Sequence, residues 1–144
     1  MEIRPLSDDF AVSPQITPAD VPAIRAAGFT TVVCNRPDSE VSGDQASEAI
    51  RDAVEAEGMR FVLNEFVPSV GPTEDAVEAQ GRALSESEGP VLAYCASGNR
   101  SSILWALALA GERPTDELIA AGTKYGYQTA NFRPMIEARA KQRA

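Results

Sequence analysis

The segment PVLAYCASGNRSSILWALALAG, Pro90 to Gly111, places Cys95 five positions before Arg100, with Ser101 immediately after. A thiol, a glycine, a guanidinium and a hydroxyl thus fall between an apolar strand-like run and an apolar helix-like run. Where a loop wraps into a helix N-terminus, the backbone N–H groups of Ala96, Ser97, Gly98, Asn99 and Arg100 can converge on one anion, with the positive helix end behind them. Gly98 supplies the positive φ or close approach such a nest requires. The same field favours the thiolate of Cys95, and thiolate is the nucleophilic form. Arg100 adds a permanent charge and a planar fork for two oxyanion oxygens, and Ser101 can donate its hydroxyl to the sulfur. We therefore read Cys95, Arg100 and Ser101 as the catalytic candidates and Ala96 through Arg100 as the anion-binding loop.

Composition narrows the chemistry available to this loop. The chain has 144 residues, two cysteines and no histidine, which excludes Ser-His-Asp and Cys-His machinery and leaves Cys, Arg, carboxylates and backbone amides. No metal site and no cofactor is implied, since zinc would have to combine two thiolates with carboxylates. A formal charge of −8 argues against nucleic acid or a membrane surface as partner, because phosphate backbones are repelled except at a basic patch. The longest apolar stretch, residues 103–110, is too short to span a bilayer, and MEIRPLSDDF lacks a signal-peptide pattern. A cytoplasmic protein is the expectation.

Elements that position the loop alternate along the chain. FAVSPQI reads as a strand, followed by a helix over TPADVPAIRAAG with Thr17 as N-cap, Pro18 in the first turn and Gly28 as stop. FTTVVCN is apolar at successive positions, as a strand covered on both faces is. RPDSEVSGD is a loop, QASEAIRDAVEAEG a helix with Ile50 and Val54 on one face, and MRFVLNEF a third strand. After VPSVGP comes a helix capped by Thr73, then the strand PVLAYC and the helix from Ser101. Two further helices, RPTDELIAAGTKYG and NFRPMIEARAKQ, follow. Such alternation predicts a three-layer α/β fold, a small, mostly parallel sheet flanked by helices, over a single domain with its core at about 8–111 and C-terminal helices at 112–144. Ligands in such sheets sit beyond the strands' carboxyl ends, where Cys95 falls.

Here the segment Cys95-Ala-Ser-Gly98-Asn-Arg100-Ser101 resembles the C-x-x-G-x-R-[S/T] loop of rhodanese-type sulfurtransferases. It also resembles the C-x5-R-[S/T] loop of cysteine phosphatases, with one residue fewer. Through SPQITPADVPAIRAAGFTTVVCNRPDSE, FVLNEFVPS and GPVLAYCASGNRSSILWALA, the wider chain is similar to the bacterial beta-lactamase-hydrolase-like, phosphatase-like domain family. The resemblance implies a cysteine-phosphatase-like fold carrying a rhodanese-sized loop between its last strand and a buried helix.

Loop length and two departures from the phosphatase pattern set the expected reaction. Tyr94 stands where cysteine phosphatases place His, and VLNEFVPSVGP offers only Asn64 and Glu65 where they carry an aspartic acid. Sulfur transfer needs leaving-group protonation less than ester hydrolysis does. Sulfur transfer is accordingly ranked first: a Cys95 persulfide formed from an anionic donor such as thiosulfate or glutathione persulfide, and passed to cyanide or to a protein or low-molecular-weight thiol acceptor. The second reading is phosphoester hydrolysis through a phosphocysteine, with Glu65 or Asp38 as acid and base. A third is a non-catalytic module that captures an anion or a partner. Arg36 and Asp38 are expected to pair at the pocket rim, although turn formation is the simpler role for Asp38. Glu65 is most simply a solvated carboxylate, Cys34 a small buried hydrophobe rather than a resolving thiol, and Trp105 core. Ser97 and Asn99 are expected to turn their side chains to solvent and their amides inward.

Overall fold

The computed structural model describes residues 1–143. Five strands form one sheet: β1 (Arg4–Ser7), β2 (Phe10–Ser13), β3 (Thr31–Cys34), β4 (Arg60–Leu63) and β5 (Val91–Tyr94), in the order β1-β2-β5-β3-β4. Every pairing is parallel except the β1–β2 hairpin. The helices are α1 (Val21–Ala26), α2 (Ser47–Ala56), α3 (Glu74–Ser85), α4 (Asn99–Ala108), α5 (Thr115–Thr123) and α6 (Arg133–Arg143). Among the described residues none is long and apolar enough to cross a membrane.

The three inner strands β2, β3 and β5 are buried along their whole length, which explains their largely apolar sequences. Ala11, Val32, Cys34, Leu92 and Tyr94 pack with Ile24 and Ile50, on the side of α1 and α2. Phe10, Val12, Val33, Val91 and Ala93 pack with Val77, Leu104, Leu118 and Ile136, on the side of α3 to α6. Helix α4 lies between the sheet and its neighbours, and eight consecutive residues from Ser101 to Ala108 are buried. Trp105 is core as expected, stacked on Phe10 with ring centroids 6.2 Å apart.

Three local differences from the sequence reading have simple causes. The β1 strand carries no strand signal in the sequence because its proline and the polar Ser7-Asp8-Asp9 turn obscure alternation, yet an edge strand tolerates Pro5. The expected helix from Thr17 opens as a 3-10 turn, Pro18–Asp20, whose Asp20 carboxylate accepts from the Thr17 N–H at 2.9 Å. Helix α4 begins at Asn99 rather than Ser101, because Gly98 adopts φ 98° and turns the chain into the helix two residues earlier.

Parallel register aligns the strand ends: Tyr94 pairs with Ser13 and with Cys34, and Cys34 with Leu63. Below that edge a buried amide cluster joins β3, β4 and α3. Gln80 donates to Asn35 Oδ1 at 3.0 Å, and its own Oε1 accepts from Asn35 and Asn64, each at 2.9 Å. Asn35 also accepts the Phe66 N–H at 2.8 Å, so the cluster fixes the segment after β4. Replacing Gln80 with Leu leaves these amides without their partner and should cost about 2 kcal/mol in urea unfolding, with the m-value unchanged.

Candidate functional site

Cys95 leaves β5 at the aligned edge and is fully buried. The loop that follows turns back over the sulfur, so that the Gly98 N–H donates to Cys95 Sγ at 3.1 Å. This contact places a positive backbone dipole on the sulfur. The N–H groups of Ala96, Ser97 and Arg100 take no partner among the described residues, which is the set an incoming oxyanion would use. The Asn99 N–H differs from expectation: it donates to Ser97 Oγ at 3.2 Å, while the Asn99 side chain accepts the Gln128 N–H at 2.8 Å instead of facing solvent. Helix capping and the C-terminal segment claim these groups first.

Arg100 sits in the first turn of α4, and its side chain is 13% exposed. Nη1 and Nη2 grip the two carboxylate oxygens of Glu40, both at 2.8 Å, and Nη1 also donates to Phe66 O at 3.0 Å. Three of the five guanidinium N–H groups are thereby engaged, leaving the parallel Nε and Nη2 edge free to hold two oxygens of an anion. The Glu40 carboxylate pushes the Arg100 pKa up against the opposing effect of burial. Glu40 is held in turn by Arg36 Nε at 3.1 Å, and Arg36 also reaches Gln15 Oε1 at 3.2 Å. Glu40 went unnoticed in the sequence; its position four residues after Arg36, in the loop after β3, was the available signal.

The remaining sequence candidates are placed as follows. Asp38 does not pair with Arg36. Its two oxygens accept from the Ser47 N–H at 2.8 Å and the Ser47 hydroxyl at 2.6 Å, tying the loop to the start of α2, and the hydroxyl bond holds its carboxyl below the usual range. Glu65 is exposed and accepts the Asp38 N–H at 3.0 Å. Ser101 does not donate to the sulfur: its Oγ is buried without a partner among the described residues, because the early start of α4 carries it into the helix. Cys34 belongs to the α1–α2 face, donates to Arg36 O at 3.3 Å and has its thiol pushed up by burial, which suits a small hydrophobe. Both cysteines are free.

These features define a cysteine-phosphatase-like α/β domain. The chain belongs to the phosphatase-like domain family of beta-lactamase hydrolase-like proteins, whose family model matches residues 2–112. A beta-lactamase hydrolase-like protein of Agrobacterium fabrum is 31% identical over 126 residues, which is 85% of this chain and 28% of that protein. The chain spans about a third or less of the curated relatives it matches. A solved structure from Neisseria meningitidis Z2491, provisionally assigned as a phosphatase, superposes with a TM-score of 0.81 at 33% identity, covering 96% of this chain and 99% of that one. Tk-PTP in its active form is similar in fold alone, with a TM-score of 0.77 at 17% identity over 97% of both chains.

The first-ranked reaction is corrected by these findings. The family and the solved relatives are phosphatase-like, so sulfur transfer through a Cys95 persulfide to a thiol acceptor gives way to the second reading. Loop length misled because the donors present, amides and one guanidinium edge, match any tetrahedral oxyanion.

The Glu40 contact makes a pH prediction. Its carboxyl is held below the ordinary 4.5 chiefly by the Arg100 hydrogen bond, with help from Arg36 and against burial. A lowered folded value means the pair stabilises the fold above its unfolded value and that this contribution disappears as pH falls through the folded one. Glu40→Gln should therefore lose stability less steeply than wild type between about pH 5 and pH 3 in thermal melts, while being less stable at pH 7.

Proposed function

We propose that the chain hydrolyses phosphate monoesters through a Cys95 phosphocysteine. The observation that supports it most is the free Nε and Nη2 edge of Arg100, held in place by Glu40 and Phe66 O beside a thiol that receives the Gly98 N–H. In the first step the Cys95 thiolate attacks phosphorus; the S–P bond forms as the P–O ester bond breaks, and the alcohol or phenol oxygen leaves with the electron pair. In the second step water attacks phosphorus as the S–P bond breaks, releasing hydrogen phosphate and restoring the thiolate; the proton that water loses balances the one the departed alkoxide or phenoxide takes up from solvent. Arg100 and the loop amides stabilise the oxygens on which charge accumulates in both steps.

Leaving-group protonation is the weak part of this site. Between β4 and α3 the one titratable side chain is Glu65, exposed and bonded to the Asp38 amide. Asp38 itself is committed to Ser47 on both oxygens. A site with little acid assistance depends on leaving groups that are stable as anions, since general acids contribute about 10²–10⁴-fold. Aryl phosphates should thus exceed alkyl phosphates in kcat/KM by about 10²-fold or more.

The direct test is turnover of p-nitrophenyl phosphate by purified protein. Wild type should release p-nitrophenol, Cys95→Ser none, and Arg100→Lys should lose about 10²-fold or more in kcat/KM, because an ammonium cannot reproduce the bidentate edge. Equal turnover by wild type and Cys95→Ser would remove Cys95 from the chemistry.

A further inference from the structure

The Ser97–Gly98 peptide unit carries two functions on its two ends. Its N–H is the one that donates to Cys95 Sγ, at 3.1 Å. Its carbonyl, Ser97 O, accepts from Tyr127 Oη at 2.8 Å and from Arg4 Nη1 at 3.3 Å. Arg4 Nη1 also donates to Tyr127 Oη at 2.8 Å, closing a three-membered arrangement. Arg4 comes from β1 at the sheet edge, and Tyr127 from the segment after α5, which lies beyond the residues the family model matches. Glu2 holds the remaining side of the Arg4 guanidinium with two contacts of 3.0 Å.

We propose that Arg4 and Tyr127 are positioning residues for the Cys95 nucleophile, acting through the Ser97–Gly98 peptide. A peptide plane is rigid, so fixing its carbonyl on one side fixes its N–H on the other. Rotation of this plane would carry the Gly98 N–H off the sulfur and put a carbonyl oxygen toward it, which opposes the thiolate. Two donors on Ser97 O oppose that rotation. They also polarise the peptide, so the N–H carries more positive charge toward the sulfur than an isolated amide would. Packing adds to the constraint: a Cβ on Gly98 would run into the Tyr127 hydroxyl and come within 2.9 Å of Tyr127 Cζ. The phenol therefore rests directly on the glycine whose left-handed turn opens α4.

Other charged and titratable groups around the thiol are Arg100, with Glu40 behind it, and they are not attached to this peptide. The clamp is consequently separable from the arginine fork by mutation. Its significance for turnover rests on the phosphatase reading, but its effect on the thiol does not.

The test is the rate of Cys95 alkylation by iodoacetamide, followed by mass spectrometry at about pH 6 and about pH 9. Tyr127→Phe keeps the ring and removes the hydroxyl; Arg4→Met removes the charge from a partly exposed position and serves if the first variant does not fold. Each should lower the ratio of the pH 6 rate to the pH 9 rate by about three- to tenfold relative to wild type, the range expected for one hydrogen bond. Arg4→Lys, which restores a donor and a charge, should recover part of the loss. Ratios equal to wild type in folded Tyr127→Phe and Arg4→Met would overturn the proposal, whatever the phosphatase assay shows.

Discussion

The Gly98 N–H on the Cys95 sulfur, at 3.1 Å, is the contact around which the rest of the site is arranged. It exists because the chain reverses within three residues of the end of β5, and that reversal requires φ 98° at Gly98, a conformation L side chains avoid. The turn has two further results. It starts α4 at Asn99, aiming the unpaired amides of the first turn at the loop, and it puts Arg100 on the side of the helix where Glu40 and Phe66 O can catch it. Without that turn the thiol, the amides and the guanidinium would not share one space.

Much of the surrounding fold secures these positions. The sheet registers bring Ser13, Tyr94, Cys34 and Leu63 to a common edge, so the loops after β3, β4 and β5 meet there. The Gln80–Asn35–Asn64 cluster fixes the backbone that carries Phe66 O, and Asp38 ties the β3 loop to α2. The loop with Cys95 is thus supported from both sides: by Glu40 and the β4 segment on the Arg100 side, and by β1 and the post-α5 segment on the Ser97 side. The side-chain amides of Asn35, Asn64 and Gln80 and the Glu40–Arg100 pair each have partners, the condition under which polar groups rigidify a site instead of weakening it.

The sequence was legible where chemistry depends on neighbours in the chain. Parallel strands showed as apolar runs, and Cys95, Gly98 and Arg100 lie within one short loop, so the α/β class and the candidate loop could be read directly. Contacts between distant segments were not legible. Glu40 is 60 positions from Arg100, and Tyr127 is 30 from Ser97, and neither carries a local pattern that marks its partner. Pro5 concealed an edge strand. The reaction was misjudged for a related reason: four residues between Cys95 and Arg100 set the length of the loop but leave open which of its groups remain unpaired. The structure supplies that count, and the early start of α4 also withdraws Ser101 from the sulfur.

The proposed hydrolysis passes through a covalent intermediate on Cys95, and that intermediate is the most direct object to measure. Wild-type protein mixed with an aryl phosphate, quenched in acid within the first turnovers and digested, should yield the peptide containing Cys95 with one phosphoryl group on sulfur, labile to the conditions that cleave S–P bonds and absent from Cys95→Ser. Hydrolysis of the same substrate by wild type with the peptide unmodified at every quench time, or with the phosphoryl group on another residue, would contradict the account.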